Sequence, residues 1–311
     1  ENLLKRKAKI TLFSHLGRPT KDGAKSLTLR PVFLYLKKKI NTKIHFYSDK
    51  ITNETKEKIP FLNTGEIIFF ENIRFNNGEI ENEDDFAKNL SSMGEIYIND
   101  AFSCSHRKQA SVHKITKYIK KSYAGPLFMK EILAINMVLN NKKNPTTCII
   151  GGSKISTKLG VITSLIKKVD NLIIVGAMAN NFIKFKGNKI GKSLVESGSE
   201  KIIEDIYKKA ALNNCKIIIP FDFAVSHTTD GDANFKDLNE VDENEIILDI
   251  GPKTLKQINK IIDLSKTVLW NGPAGYFEID QFAEGSNKIA KKIIQNNKNK
   301  SLISIAGGGD T

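Results

Sequence analysis

A glycine pair followed by two lysines, in Gly151-Gly-Ser-Lys-Ile-Ser-Thr-Lys158, has the composition of an anion-binding segment. A short apolar run precedes it, and apolar residues at helical spacing follow from Ile155 to Ile166, which predicts a strand, a tight turn and a helix. The turn would leave the first N–H groups of the helix unpaired, where an anion is stabilised. A phosphate between Lys154 and Lys158 would offset their mutual repulsion. The alternative is an ordinary Gly-rich turn with two solvated lysines, and the spacing does not match a Walker P-loop.

Three arginines follow predicted strands in the first part of the chain. They lie in Ser14-His-Leu-Gly-Arg-Pro19, in Glu71-Asn-Ile-Arg-Phe75 and in the segment from Asn99 to Arg107. Because parallel strands end at a common edge, we expect Arg18, Arg74 and Arg107 to form a basic pocket for a small ligand with phosphate and carboxylate groups. Taken singly, each could be a solvated loop residue. His15 and His106 are too scattered for a metal site, and His106 could equally be structural.

Four glycine-containing segments follow strands in the second part of the chain, namely Gly151–Lys158, Gly176–Ala179, Asn271–Glu278 and Gly307–Thr311. Glycines allow the backbone to approach a bulky ligand closely. Gly-Gly-Gly-Asp-Thr adds N–H donors and one carboxylate, Asp310, suited to Mg²⁺. Glu278 could bind ribose hydroxyls, whereas Trp270 is better explained as core. Together these segments predict a nucleotide site.

Short apolar runs alternate with helical patterns along the whole chain, which predicts an α/β fold with mainly parallel sheets covered by helices on both faces. The predicted strands are Ile10–Phe13, Ile44–Tyr47, Ile67–Phe70, Ile96–Ile98, Cys148–Ile150, Leu172–Val175, Lys216–Ile219, Val268–Trp270 and Leu302–Ile305. The predicted helices are Pro31–Lys39, Asp84–Ser91, Leu127–Asn140, Ser156–Lys168, Ser199–Ala211, Leu255–Asp263 and Ser286–Gln295. Nine strands exceed one typical sheet, so we expect two Rossmann-like lobes, 1–123 and 124–311, joined by a hinge helix that begins near Ala124-Gly-Pro126.

The bulk composition excludes several classes of protein. The net charge of +14 is spread over 311 residues without a compact basic block, so anionic small ligands are favoured over nucleic acid. Three distant cysteines argue against disulfides or a zinc site. No apolar run approaches the roughly 20 residues of a membrane span, and the first residues do not resemble a signal peptide. We therefore expect a cytoplasmic protein that binds neither nucleic acid nor membranes.

The segments together resemble the phosphoglycerate kinase family. Seven of them fall in that family's order: Ser14–Pro19, Glu71–Phe75, Asn99-Asp-Ala-Phe with His106-Arg107, Gly151–Lys158, Asp249-Ile-Gly-Pro-Lys-Thr254, Trp270-Asn-Gly-Pro273 and Gly307–Thr311. The resemblance covers essentially the whole chain. It implies a monomeric, two-lobed glycolytic kinase that transfers phosphate between 1,3-bisphosphoglycerate and Mg-ADP, giving 3-phosphoglycerate and ATP.

The resemblance also implies roles for individual residues. Those that would bind the glycerate ligand are His15, Leu16, Gly17, Arg18, Arg74 and Arg107. Lys154 and Lys158 would contact the nucleotide phosphates and the phosphoryl group in transfer. Those that would bind nucleotide, besides Lys158, are Asn271, Pro273, Glu278, Gly308, Gly309, Asp310 and Thr311, with Asp310 acting through Mg²⁺. Closure about the hinge at Tyr123–Pro126 would align the two ligands and exclude water.

The chain also departs from the family pattern. The family has an opening strand with a substrate-binding segment and a phosphoryl-stabilising arginine, and it continues beyond Gly-Gly-Gly-Asp-Thr, so we expect this segment to be part of a longer protein and to be weakly active or inactive alone. Ser103-Cys-Ser105 stands where Gly-Thr-Ala is usual, and Ala177 stands within a usual glycine triplet. A non-catalytic two-lobed protein that binds nucleotides or anions is the alternative.

Overall fold

The structure is a computed structural model that describes residues 1–19, 24–140, 143–299, 301–308 and 311. Its strands are β1 (Ile10–Leu12), β2 (Ile44–Tyr47), β3 (Ile67–Phe70), β4 (Ile96–Asn99), β5 (Lys121–Ala124), β6 (Thr146–Ile150), β7 (Asn171–Ile174), β8 (Lys216–Ile218), β9 (Asp222–Ser226), β10 (Asn234–Asp237), β11 (Ile246–Ile250), β12 (Thr267–Asn271) and β13 (Ile303–Gly307). Its α-helices are α1 (Asn2–Lys5), α2 (Arg30–Lys39), α3 (Thr55–Lys58), α4 (Asn77–Ile80), α5 (Asp84–Ser91), α6 (Ile115–Tyr118), α7 (Pro126–Asn140), α8 (Leu159–Ile166), α9 (Ala177–Phe185), α10 (Glu200–Leu212), α11 (Pro252–Leu264) and α12 (Glu284–Asn299).

The chain divides into two compact units, Glu1–Ile132 and Leu133–Thr311. The division falls inside helix α7, which the sequence assigned as a whole to the second lobe. Among the described residues, every helix is too short or too polar to cross a lipid bilayer.

The second unit is built on a parallel five-stranded sheet with the order β13-β12-β6-β7-β8. Alternate residues of its central strand β6 enter different cores: Cys148 and Ile150 pack with α8, α9 and α10, whereas Ile149 packs with α11 and α12. Every residue of β6 is buried because helices cover both faces of the sheet. Its loops at the carboxyl edge are therefore held by a rigid base.

A second sheet in this unit is antiparallel, with the order β10-β9-β11. The sequence analysis missed these three strands, which form an antiparallel exception to the mainly parallel sheets that it predicted. Strand β9 follows β8 after only a few residues, so no helix-sized crossover separates them. The short polar strand β10, with its first two residues exposed, carries no apolar alternation that could have revealed it.

The first unit contains a parallel three-stranded sheet, β1-β3-β2. Its central strand β3 is fully buried, with Ile68 and Phe70 facing a core that includes α5, and Ile67 and Phe69 facing a core that includes α2. A separate parallel pair joins β4 to β5. Strand β5 was missed because all four of its residues are exposed and it has no apolar pattern.

The predicted fold class is confirmed, and helix α5 has the predicted bounds. Two differences bear on the site. The predicted helix Ser156–Lys168 begins as a 3-10 turn over Ser156–Lys158, and α8 starts only at Leu159. The segment after Gly176, read as a Gly-rich loop, is helix α9, which starts at Ala177.

Candidate functional site

A buried arginine lies at the centre of the cationic cluster in the first unit. Arg74 is only 8% exposed. Its Nη1 donates to the Gly17 carbonyl oxygen at 2.7 Å, and its Nη2 donates to Gln109 Oε1 at 3.3 Å. Its buried Nε finds no partner among the described residues. The guanidinium is thus fixed in orientation and still has donor capacity for a ligand.

The two residues that precede this arginine's turn fix the loop after β1. The Glu71 carboxylate accepts from the Leu29 N–H at 2.6 Å and from the Thr28 hydroxyl at 2.5 Å. The Asn72 amide donates to the carbonyls of Leu16 at 2.8 Å and Leu27 at 2.9 Å. This polar network therefore joins the loop after β1 to the loop after β3.

Asn72 also orients Arg74 directly, because its Oδ1 accepts from the Arg74 N–H at 3.1 Å. Sequence reasoning assigned no role to Asn72, Glu71 or Gln109. Glu71 and Asn72 are polar residues close to Arg74 in one motif, but the sequence does not show which loop they contact.

The cationic side chains of the first unit act on one another electrostatically. Burial and then the charges of Arg74 and Arg107 lower the pKa of His15. Burial, followed by the charges of Arg107 and Arg18, lowers the pKa of Arg74. The structure thus brings His15, Arg18, Arg74 and Arg107 into one cluster, and an anion bound there would relieve their repulsion.

The remaining predicted residues of this cluster have distinct settings. Gly17 adopts a φ of 60°, and a β-carbon on it would lie 2.9 Å from Leu27, so a larger residue would distort the loop. The Leu16 side chain is 42% exposed, while its carbonyl is bound by Asn72. His106 is exposed in the turn before Arg107.

In the second unit, the loops after β6, β12 and β13 surround a pocket of about 230 Å³. Its lining comprises Gly152, Ser153, Lys154, Thr157, Lys158, Asn271, Gly272, Pro273, Gly308 and Thr311. The structure therefore brings together six residues that the sequence assigned to catalysis or nucleotide binding, namely Lys154, Lys158, Asn271, Pro273, Gly308 and Thr311. Gly309 and Asp310 lie outside the described residues, and Glu278 lies in an exposed turn that does not line this pocket.

The Lys158 side chain is held at the carboxyl ends of strands β6 and β12. Its Nζ donates to the Gly151 carbonyl oxygen at 2.6 Å and to Asn271 Oδ1 at 2.8 Å. The Asn271 amide in turn donates to the Gly307 carbonyl at 2.9 Å. Both of these partners of the ammonium are neutral, so its charge is not neutralised by them and can act on a phosphate.

Close backbone contacts lock these loops. A β-carbon on Gly151 would lie 2.0 Å from the Pro273 carbonyl oxygen, so only glycine fits. The Met178 N–H, in the first turn of α9, donates to the Gly152 carbonyl at 2.7 Å. The Thr311 hydroxyl accepts from the Gly272 N–H at 2.7 Å. Close contacts and hydrogen bonds of the backbone therefore fix the loops that form the pocket wall.

One expectation about the start of the helix is not met. The sequence predicted unpaired N–H groups there, but the Ser156 N–H donates to Glu196 Oε2 at 3.0 Å. Hydrogen bonds from Ser156 lower the pKa of the Glu196 carboxyl. A carboxylate of the chain itself thus caps this turn, and no feature of the sequence had singled it out.

Asp249, in the fifth of the motifs, is buried beside the loop that carries Pro273. Its carboxylate accepts from the N–H groups of Gly285 and Ile250 at 2.7 and 2.8 Å. Burial nevertheless raises its pKa to about 7. A β-carbon on Gly275 would lie 2.4 Å from Asp249, so this carboxyl group packs directly under the loop.

The described residues contain no cluster of metal-ligating side chains. No group of three or more His, Cys, Asp or Glu side chains lies close enough there to hold a metal ion. The one residue predicted to act through Mg²⁺, Asp310, is outside that part of the chain. The described donors of the pocket are lysine, amide, hydroxyl and backbone groups, which suit phosphate oxygens.

Comparisons with known proteins agree with this architecture. The chain is 43% identical over 307 residues to phosphoglycerate kinase of Orientia tsutsugamushi (strain Ikeda), covering 98% of this chain and 75% of the relative. It is 40% identical over 311 residues to phosphoglycerate kinase of Bartonella tribocorum, covering 99% of this chain and 78% of the relative. The solved phosphoglycerate kinase of Coxiella burnetii matches with a TM-score of 0.81 and 37% identity, over 99% of this chain and 77% of that chain.

The family model described as Phosphoglycerate kinase matches residues 1–311. Most of the ordered segments that carried the resemblance in the sequence contribute to the two clusters of the structure. Since the sequence, the fold and a match over the whole of this chain agree, the chain belongs to the phosphoglycerate kinase family.

Proposed function

We propose that this kinase binds its glycerate substrate at the cationic cluster of the first unit and its nucleotide at the glycine loops of the second. The chain is a phosphotransferase by its family. The reaction exchanges a phosphoryl group between 1,3-bisphosphoglycerate and Mg-ADP, giving 3-phosphoglycerate and ATP. Assigning the two ligands to different units follows from the different chemistry of the two clusters.

The glycerate ligand suits the cationic cluster because it carries both a phosphate and a carboxyl group. Arg74 is preorganised by Gly17 and Gln109 and keeps donor capacity at Nε. Arg18 and Arg107 add positive charge, and burial together with the charges of Arg74 and Arg107 lowers the pKa of His15. His15, Leu16 and Gly17 would contact the ligand through one imidazole and two backbone groups.

The nucleotide suits the second cluster because its phosphates need many donors in a small space. Gly308, Gly309 and Thr311 would bind phosphates through backbone N–H groups and a hydroxyl, as expected of a nest of glycines. Asn271 and Pro273 would line the site, and Glu278 would bind the ribose. Mg²⁺ enters with the nucleotide in this proposal, with Asp310 as its protein ligand, and it would neutralise charge on the phosphates.

Lys158 is the residue we assign to the transferred phosphoryl group, with Lys154 beside it. Phosphoryl transfer requires alignment and neutralisation of the equatorial oxygens more than covalent chemistry. The observation that carries this assignment is the fixed ammonium of Lys158, held by Gly151 and Asn271 at the mouth of the glycine loops. These two hydrogen bonds fix the position of the ammonium before the substrate binds.

Since the acyl phosphate and the nucleotide are assigned to different units, transfer requires the two clusters to approach. We infer a hinge at Tyr123–Pro126 and helix α7, dividing a glycerate lobe, 1–123, from a nucleotide lobe, 124–311. The side chain of Asp100, at the end of β4, accepts from the Phe128 N–H at 2.9 Å and so anchors the first turn of α7. Closure would also exclude water that hydrolyses the acyl phosphate. We further propose a cytoplasmic monomer.

The proposal is tested by separating the two ligands. Calorimetry should show binding of 3-phosphoglycerate and of ADP to the full-length wild-type protein, and ATP should form when 1,3-bisphosphoglycerate and ADP are added to it. Asn271→Ala should weaken ADP binding by about tenfold, the value of one or two lost hydrogen bonds, because Lys158 loses its amide support. It should leave 3-phosphoglycerate binding unchanged. Absence of turnover, or loss of glycerate binding in Asn271→Ala, would contradict the assignment.

A further inference from the structure

A carboxylate contacts the phosphate loop at the point where an anion would otherwise bind. Glu196 Oε2 accepts from the Ser156 N–H at 3.0 Å, at the start of the 3-10 turn that ends at Lys158. The Ser156 hydroxyl, the nearby Ile155 N–H and the charge of Lys154 also help to lower the pKa of the Glu196 carboxyl. A carboxylate near bound phosphates repels them, so its presence here requires a compensating role.

Glu196 is itself fixed from the opposite side. Its backbone N–H donates to Asn181 Oδ1 at 2.8 Å, and the Ser199 hydroxyl donates to the same oxygen at 3.2 Å. Asn181 is 3% exposed on helix α9, and its amide donates to the Met178 carbonyl. The loop that carries the acid is therefore tied to the buried helix α9.

The same helix contacts the phosphate loop at a second point. The Met178 N–H donates to the Gly152 carbonyl at 2.7 Å, one turn before Asn181. Helix α9 thus fixes the beginning of the loop at Gly152 through its own backbone and the middle of the loop at Ser156 through Glu196. Lys154 lies between these two points, and Lys158 follows the second.

We propose that Glu196 is a positioning residue for the phosphate-binding lysines. It accepts from the Ser156 N–H and so holds the turn in the conformation that directs Lys154 and Lys158 into the pocket. Nucleotide phosphates then bind to the lysines and the glycine backbone and not to the helix start. This inference rests on the proposed assignment of the glycine loops to nucleotide.

Two variants separate the position of this acid from its charge. Glu196→Gln and Glu196→Ala both remove the negative charge, but only the glutamine side chain keeps an oxygen that accepts from the Ser156 N–H. We expect ADP to bind Glu196→Ala about fivefold more weakly than Glu196→Gln, as for one lost neutral hydrogen bond. Glu196→Gln should bind ADP at least as tightly as the wild type, because repulsion of the phosphates is removed.

The readouts distinguish positioning from a merely structural role. Calorimetry measures the dissociation constants for ADP and for 3-phosphoglycerate, and steady-state kinetics gives KM for each together with kcat. The loss in Glu196→Ala should fall on the nucleotide and leave 3-phosphoglycerate binding unchanged. Glu200→Ala, which removes an exposed acid four residues away, is the matched control and should change neither constant.

Several results would overturn the inference. If Glu196→Ala binds ADP as tightly as Glu196→Gln, the hydrogen bonds to the turn have no role in positioning. A lowered melting temperature with both dissociation constants unchanged would show a structural role alone. Lys158→Ala serves as a reference. If it leaves ADP binding and turnover intact, the proposed nucleotide site itself is wrong. If Lys158→Ala weakens ADP binding and Glu196→Ala does not, only the inference about Glu196 is wrong.

Discussion

The two clusters prepare for anionic ligands in opposite ways. In the first unit, the positive charge comes from side chains that range from the buried Arg74 to the exposed Arg18, and a polar network of Glu71, Asn72 and Gln109 fixes their loops. In the second unit, glycines contribute to the pocket wall and allow the loops after β6 and β12 to touch. The first arrangement sets charge, whereas the second sets shape.

The difference has an electrostatic consequence. In the first unit, burial and the charges of Arg74 and Arg107 lower the pKa of His15, and burial and the charges of Arg107 and Arg18 lower the pKa of Arg74, so the cationic groups of the cluster repel one another. In the second unit, the Lys158 ammonium donates to two neutral oxygens. At the first cluster, we expect substitutions of the charged side chains to have the largest effects on ligand binding. At the second cluster, substitutions of glycines should be as harmful as removal of a charge.

The largest effect should come from Lys158→Ala. Removing a preorganised group that stabilises transition-state charge typically lowers kcat by about 10²–10³-fold. Steady-state rates of ATP formation measure this, with thermal unfolding to show that the fold is kept. Lys167→Ala removes an exposed lysine at the end of α8 and should be neutral. A loss confined to KM would contradict a role in transfer.

The next largest effect should come from Arg74→Ala. The loss of charged hydrogen bonds, each worth about 1.5–3 kcal/mol, should lower kcat/KM for 3-phosphoglycerate by about 10–100-fold. KM for ATP should not change, because Arg74 belongs to the first unit. Arg74→Lys should recover little, since an ammonium cannot bond Gly17 and Gln109 together in the same plane. Exposed Arg30→Ala is the control; an equal loss there would point to general charge.

Gly151→Ala should damage the second cluster without removing any charge. The added β-carbon would lie 2.0 Å from the Pro273 oxygen, so the loops must separate. Overpacking costs about 1–3 kcal/mol of unfolding free energy, and KM for nucleotide should rise. Gly160→Ala is the matched control, because a β-carbon there meets nothing within 4 Å and should stabilise α8. Equal unfolding midpoints in urea would refute the close-contact argument.

Asp249 should make stability depend on pH. Its pKa is raised from 3.8 to about 7, so the folded protein binds one more proton than the unfolded chain between these values. The free energy of unfolding should therefore fall as pH rises through this window. Asp249→Asn should reduce that slope in urea titrations, whereas exposed Asp232→Asn should leave it unchanged. An unchanged slope in Asp249→Asn would place the cause elsewhere.

The smallest effect concerns His15, whose pKa is lowered below 6.5 by burial and by Arg74 and Arg107. Arg107→Ala should raise the pKa of His15, and so should 3-phosphoglycerate, since both reduce the positive potential. NMR titration of the imidazole measures these shifts. Lys108→Ala, which removes a neighbouring exposed cation, should have little effect. A pKa insensitive to Arg107 would separate the two residues.

The candidate site was partly legible in the sequence because motif residues sit directly after strands. Gly151–Lys158, Asn271–Pro273 and Gly308 all follow apolar runs, and parallel strands bring their carboxyl ends to one edge. The contacts of Glu196 and Asn72 could not be predicted from the sequence, since their partners are 40 and 56 residues away in the chain. Contacts at that separation depend on how loops fold over the sheet.

The sequence by itself determined the α/β class, the parallel sheets and the residues that can bind phosphate, because apolar periodicity and glycine placement are local properties of the chain. The tertiary structure alone decided that β9, β10 and β11 form an antiparallel sheet and that a carboxylate caps the phosphate loop. It also decided that position 151 must be glycine, because a β-carbon there would collide with the Pro273 carbonyl oxygen. These features depend on which surfaces meet after folding, and distances between segments remote in the chain are set by packing.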